Sequence, residues 1–132
     1  MTYMMDTNTC IFIMKNLANV VTEFKAKRNK GIVISSITVS ELYYGVHNSK
    51  TPKELAVHLA NFLIGVPVLD YDAAAGDCYG RIRAELKRKN QLIGELDMLI
   101  AAHAKSLNLI LATNNTREFE RVSGLIIEDW KS

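Results

Sequence analysis

Four short runs in this chain are apolar with no polar alternation: Thr2 to Met5, Ile32 to Ile34, Val66 to Leu69 and Leu109 to Ala112. A strand without polar alternation offers no face to water, so these segments read as strands covered on both sides. Pro67 places the third at an edge or at its first pairing position. Leu125 to Ile127 supplies a last short run. Between the runs, apolar residues recur at helical spacing, as with Leu17, Val20, Val21 and Phe24, or Leu55, Leu59, Phe62 and Leu63. Helices are predicted over 9–15, 17–28, 37–48, 52–65, 72–89 and 95–106. Gly31 and Gly94 act as breaks, and Thr51 before Pro52, and Asp72, as starts. Asn115-Thr-Arg-Glu118 fits a capping box opening a short helical turn. Strands alternating with helices define an α/β fold: a doubly wound parallel sheet flanked by helices on both faces.

With 132 residues, 48% of them hydrophobic, the chain is expected to form one domain over 1–132. It shows no repeat, low-complexity tract or linker. No apolar run reaches the ~18–20 residues of a membrane span, and no basic stretch leads into an apolar leader, so a soluble cytoplasmic protein is expected. Cys10 and Cys78 lie far apart without Cys-x-x-Cys spacing and read as free thiols. A formal charge of +2 implies no polyanionic partner by itself. Its distribution says more. Lys25, Lys27, Arg28 and Lys30, with Arg81, Arg83, Lys87, Arg88 and Lys89, gather nine of the sixteen cations into two stretches, which suits phosphate contacts as well as solvated helix ends.

In such sheets, ligands bind beyond the carboxyl ends of the strands. Those ends are acidic and amide-rich here: Asp6-Thr7-Asn8 after the first strand, Ser35-Ser36 after the second, Thr113-Asn114-Asn115 after the fourth. Glu41 and Asp97 lie in helices starting near the same edge. Each acid has a plain structural alternative as a cap or first-turn acid. Yet Asp6, Glu41 and Asp97 are embedded in apolar segments without a basic residue at helical spacing, where an unpaired carboxylate is costly. Three such groups converging raise one another's pKa, and a divalent cation resolves the repulsion. All-oxygen ligation selects Mg²⁺ or Mn²⁺. His47, His58 and His103 are isolated, which argues against histidine acid/base chemistry.

The motifs Met5-Asp-Thr-Asn8, Ile34-Ser-Ser-Ile-Thr-Val-Ser-Glu-Leu-Tyr-Tyr-Gly45, Ile93-Gly-Glu-Leu-Asp-Met-Leu-Ile-Ala-Ala-His-Ala104 and Leu111-Ala-Thr-Asn-Asn-Thr-Arg-Glu-Phe119 occur in this order. Together they resemble VapC-type toxins of type II toxin–antitoxin systems, which are small PIN-domain endoribonucleases. The resemblance spans the whole chain. It implies that Asp6, Glu41 and Asp97 are catalytic metal ligands. At the fourth position, where the family often has an acid, this chain has Asn115, with Glu118 and Glu95 as candidate substitutes. Thr7, Asn8 and Thr113 would support the carboxylates by hydrogen bonds, and the two basic stretches would hold RNA. The implied reaction is hydrolysis of structured RNA, above all tRNA and in some relatives initiator tRNA, leaving a 5′-phosphate and a 3′-hydroxyl and stopping translation. A homodimer is implied, silenced by a VapB-type antitoxin whose C-terminal tail covers the acidic cleft along a groove that Tyr43, Tyr44 and Ile11-Phe12-Ile13 are candidates to line. Two rivals are a non-catalytic PIN-fold binding module, suggested by Asn115, and a phosphatase using Asp6 as nucleophile.

Overall fold

A computed structural model of the protein describes residues 2–132. In chain order its elements are β1 (Tyr3–Met5), α1 (Thr7–Met14), α2 (Ala18–Lys27), β2 (Ile32–Ser35), α3 (Ser36–His47), α4 (Pro52–Ile64), β3 (Val68–Leu69), α5 (Ala73–Arg88), α6 (Glu95–Ser106), β4 (Ile110–Ala112), α7 (Thr116–Phe119) and β5 (Ile127–Glu128). The five strands are parallel in the order β3-β2-β1-β4-β5, the doubly wound arrangement expected from sequence. The chain winds outward from the central β1 first to β2 and β3, then crosses to β4 and β5. The boundary between β1 and β4 is therefore the switch point of the sheet.

The uniform apolarity of the strands has the anticipated cause. Side chains alternate faces along a strand, so Met4 enters one core with Val33, Leu111, Leu86, Ile100 and Phe119, under α5, α6 and α7. Its neighbours Tyr3 and Met5 enter a second core with Ile34, Leu42, Leu59 and Trp130, under α1 to α4. The Pro67 run pairs only over Val68–Leu69, at the sheet edge. Helices α1 and α3 begin earlier than their apolar patterns suggest because Asp6, just past β1, and Ser35, the last residue of β2, already cap them.

Three helices end on an asparagine in the left-handed region: Asn16, Asn90 and Asn108, with φ of 61°, 55° and 56°. The following amide reaches back five residues each time: Leu17 to the Phe12 carbonyl at 2.9 Å, Gln91 to Leu86 at 2.8 Å and Leu109 to Ala104 at 2.9 Å. These are Schellman ends carried by asparagine instead of glycine. Because Asn108 is exposed, Asn108→Ala is expected to cost about 1 kcal/mol of stability in thermal denaturation, while Asn108→Gly costs nothing measurable.

The carboxyl-terminal segment folds back over the second core. Trp130 meets Tyr3 edge-on at 5.7 Å between ring centroids, its indole N–H donates to Glu128 at 2.9 Å, and Lys27 pairs with both Glu23 and Glu128. None of the helices among the described residues is long and apolar enough to cross a membrane. Cys10 is buried and Cys78 half-buried, both as free thiols.

Candidate active site

The switch point joins the first and fourth motifs through the backbone. The amide of Asp6 donates to the Ala112 carbonyl at 3.0 Å, and the Thr9 hydroxyl donates to the same oxygen at 3.0 Å. Asp6 caps α1, its Oδ1 accepting from the Thr9 amide at 2.8 Å. The side chain is only 4% exposed. Burial pushes its carboxyl above the ordinary range, while hydrogen bonding by Thr113 and Thr9 pulls against that. The capping role and a ligand role use different parts of one carboxylate, so they do not compete.

Glu41 reaches the same edge from α3, where the Thr7 hydroxyl donates to its Oε1 at 2.6 Å. Asp97 stands in the first turn of α6, with Oδ2 3.6 Å from where a Cβ on Gly94 would lie. Its carboxyl is pushed up to about 6, first by burial and then by the negative charges of Glu41, Glu118 and Asp6. Four acids, Asp6 capping α1 and Glu41, Asp97 and Glu118 of α3, α6 and α7, thus share one electrostatic neighbourhood. Among the described residues no Lys, Arg or His forms a salt bridge with any of the four.

The fourth motif differs from its sequence reading. Asn115 precedes α7 without a side-chain cap. Its amide N–H₂ donates to Glu118 Oε2 at 3.1 Å, and its backbone N–H donates to Thr113 Oγ1 at 3.0 Å. The reciprocal capping box is therefore not formed; the amide group turns toward Glu118 instead. Glu95 is engaged elsewhere, 3.5 Å from Arg83 Nη1. Asn8 is exposed, one residue into α1. Thr9, not singled out in the sequence, bonds both Asp6 and the Ala112 carbonyl; its place three residues after a capping aspartate was the available signal.

The two basic stretches separate. Arg28 to Lys30 form a 3₁₀ turn running into the amino end of β2, where the Gly31 carbonyl accepts from Thr2 and Tyr3. Arg28 to Lys30 consequently lie toward the amino ends of the strands, away from the acids, and Lys27 is spent on Glu23 and Glu128. Sequence proximity gives no indication of which end of a strand a charged turn will occupy. On α5, Arg81 pairs with Asp77 at 3.1 Å and Lys89 with Glu85 at 3.0 Å, while Lys87 and Arg88 are exposed. Arg83 alone of this group contacts the first turn of α6.

The donor set suits a hard divalent cation: all oxygen, partly desolvated, and without an internal countercharge. Among the described residues no three His, Cys, Asp or Glu side chains close into a cage. Beside Glu41 opens an apolar groove of about 240 Å³ between α1, α3 and α4, lined by Ile11, Met14, Leu42, Val46 and Leu55. Ile11 lines this groove, whereas Tyr43 and Tyr44 are exposed on α3.

A small doubly wound parallel sheet with acids gathered where β1 and β4 diverge is the architecture of the PIN domain; the family model of that domain matches residues 3–125, and the chain belongs to this family. Within it the relatives are VapC-type toxins. The chain is 49% identical to a "tRNA(fMet)-specific endonuclease VapC" of Shigella flexneri, over 97% of each chain. Among solved structures it matches the DNA-bound VapBC of Salmonella typhimurium at TM-score 0.93 and 44% identity, covering 98% of each chain. It also matches VapBC2 of Rickettsia felis bound to a promoter DNA fragment, at TM-score 0.94 and 38% identity, covering 98% of this chain and 99% of that one.

Proposed function

We propose that this chain, a single PIN domain, is the ribonuclease toxin of a cytoplasmic VapBC pair and hydrolyses tRNA, initiator tRNA in particular, in a Mg²⁺- or Mn²⁺-dependent reaction that stops translation. The observation carrying the reading is the set of uncompensated carboxylates at the switch point, Asp6, Glu41 and Asp97, acting on one another with no cation of the protein's own to offset them. The substrate follows from the relatives, since the Shigella flexneri protein is named for tRNA(fMet).

In this reading Asp6, Glu41 and Asp97 hold the ion. When bound, it supplies a water acidified toward neutrality and withdraws charge from the phosphoryl oxygens. Water oxygen bonds to phosphorus, the bond to the 3′ oxygen breaks, and a 5′-phosphate and a 3′-hydroxyl result. Thr7 orients Glu41 through its hydroxyl, and hydrogen bonds from Thr113 and Thr9 favour the charged form of Asp6 against its burial. Arg83 on α5, beside the start of α6, is placed to meet a phosphate flanking the scissile one, with Lys87 and Arg88 further along α5. Arg28 and Lys30, at the amino ends of the strands, lie away from the scissile phosphate. The groove beside Glu41 receives the apolar tail of a VapB-type antitoxin, and the toxin is a homodimer within that complex.

Antitoxin-free protein incubated with total tRNA is expected to give discrete fragments with Mg²⁺ or Mn²⁺ and none with EDTA, and end-mapping should find 5′-phosphates. Cleavage that persists in EDTA would reject the metal. RNA that binds but is never cut would favour a non-catalytic module, with Asn115 in the fourth acid's place as its cause.

A further inference from the structure

Glu41 and Asp97 come from helices far apart in sequence, and one buried polar contact joins those helices. Ser35 ends β2 and caps α3, its Oγ accepting from the Ile37 amide at 3.1 Å. His103 of α6 places Nδ1 2.7 Å from the same Oγ. Ser35 is 0% exposed and His103 1%. The imidazole is wedged further by Tyr71, edge-on at 5.5 Å between centroids, while the Tyr71 amide donates to Ser36 Oγ at 3.0 Å. Both acids sit six residues from this bond, Glu41 after Ser35 and Asp97 before His103. At a rise of 1.5 Å per residue each arm is about 9 Å long. Apolar packing between two helices allows small slides, whereas a buried hydrogen bond between fixed groups does not, since breaking it strands two polar atoms away from water.

We infer that the Ser35–His103 hydrogen bond is a positioning device that sets the spacing of the Glu41 and Asp97 carboxylates and thereby the cation affinity of the site. His103 touches neither substrate nor ion; it acts through the register of α6 on α3. The inference rests on the metal-dependent reading above. Its test compares two polar replacements in antitoxin-free protein. Asn places an amide close to where Nδ1 lies, and Gln carries it beyond, toward the position of Nε2. His103→Asn is expected to keep Mn²⁺ affinity, measured by calorimetry, within about threefold of the parent, while His103→Gln loses tenfold or more, the range for groups that orient metal ligands. Leu59→Ala, fully buried in the other core, is the control: it lowers the thermal midpoint without changing Mn²⁺ affinity.

Equal affinities for His103→Asn and His103→Gln would overturn the inference, as would an affinity loss that merely follows the thermal midpoint across all three variants. A parent protein that binds Mn²⁺ tightly while both His103 variants match it removes only the positioning role. A parent that takes up no Mn²⁺ removes the metal reading and this inference with it.

Discussion

Asp97→Asn is expected to abolish RNA cleavage, by more than about a hundredfold, and at the same time to raise the stability of the metal-free protein. A ligand should cost at least as much as the groups that merely orient ligands, which reach a hundredfold. The stability gain follows from the electrostatics. The Asp97 carboxyl is pushed up to about 6 by burial and by Glu41, Glu118 and Asp6, so the folded state binds its proton more tightly than the unfolded chain does. Its contribution is therefore fully favourable below about pH 4 and is lost as pH rises through about 6. At neutral pH, Asn removes that penalty, worth about 1–2 kcal/mol once solvent screening is allowed for. Thermal midpoints in EDTA should fall for the parent between about pH 4 and 7 and stay flatter for Asp97→Asn, with the two converging at the acid end. A variant that loses activity and stability together would show that Asp97 serves the fold.

Phe119→Ala is expected to be the most destabilising single change, costing about 3–5 kcal/mol and roughly 10–20 °C in thermal midpoint. Phe119 is 0% exposed and packs in the core between the sheet and α5 to α7. It also anchors the four-residue α7, which carries Glu118 and follows Asn115. So short a helix has no stability of its own, and its seat in the core is what keeps Asn115 and Glu118 beside Asp97. The variant should lose activity beyond what its unfolded fraction explains when assayed well below its midpoint. Unchanged specific activity of the folded fraction would show that the fourth motif plays no part in cleavage.

Much of this molecule was readable before any coordinates. Both cores follow from strands such as Tyr3-Met4-Met5, where period-two geometry sends consecutive apolar residues to opposite faces. The acids were readable because charge in apolar surroundings demands a reason, and the sheet's topology supplied the place. Other features were not readable, each for a physical reason. Asn16, Asn90 and Asn108 do the work of glycines at helix ends, and asparagine is too common in loops to announce it. Leu96 and Leu107 are apolar yet exposed, at 47% and 40%, because α6 buries Met98 and Ile100 to Ala104 instead. Asn115 and Glu118 have capping-box spacing, but the Thr113 hydroxyl takes the Asn115 backbone N–H and the Asn115 side chain takes the Glu118 carboxylate. The Ser35–His103 contact joins residues 68 positions apart, and no local pattern encodes a partner that distant.

The sheet's two margins carry a consequence for a protein that must at some point be released from its inhibitor. Both outer strands, Val68–Leu69 and Ile127–Glu128, pair over two residues only. One follows a proline, which has no N–H to offer, and the other runs into Glu128 and Asp129. A copy of the same chain arriving side-on finds almost no unpaired backbone to zip against and meets charge at one end. Its rims therefore give self-association by strand addition almost nothing to extend.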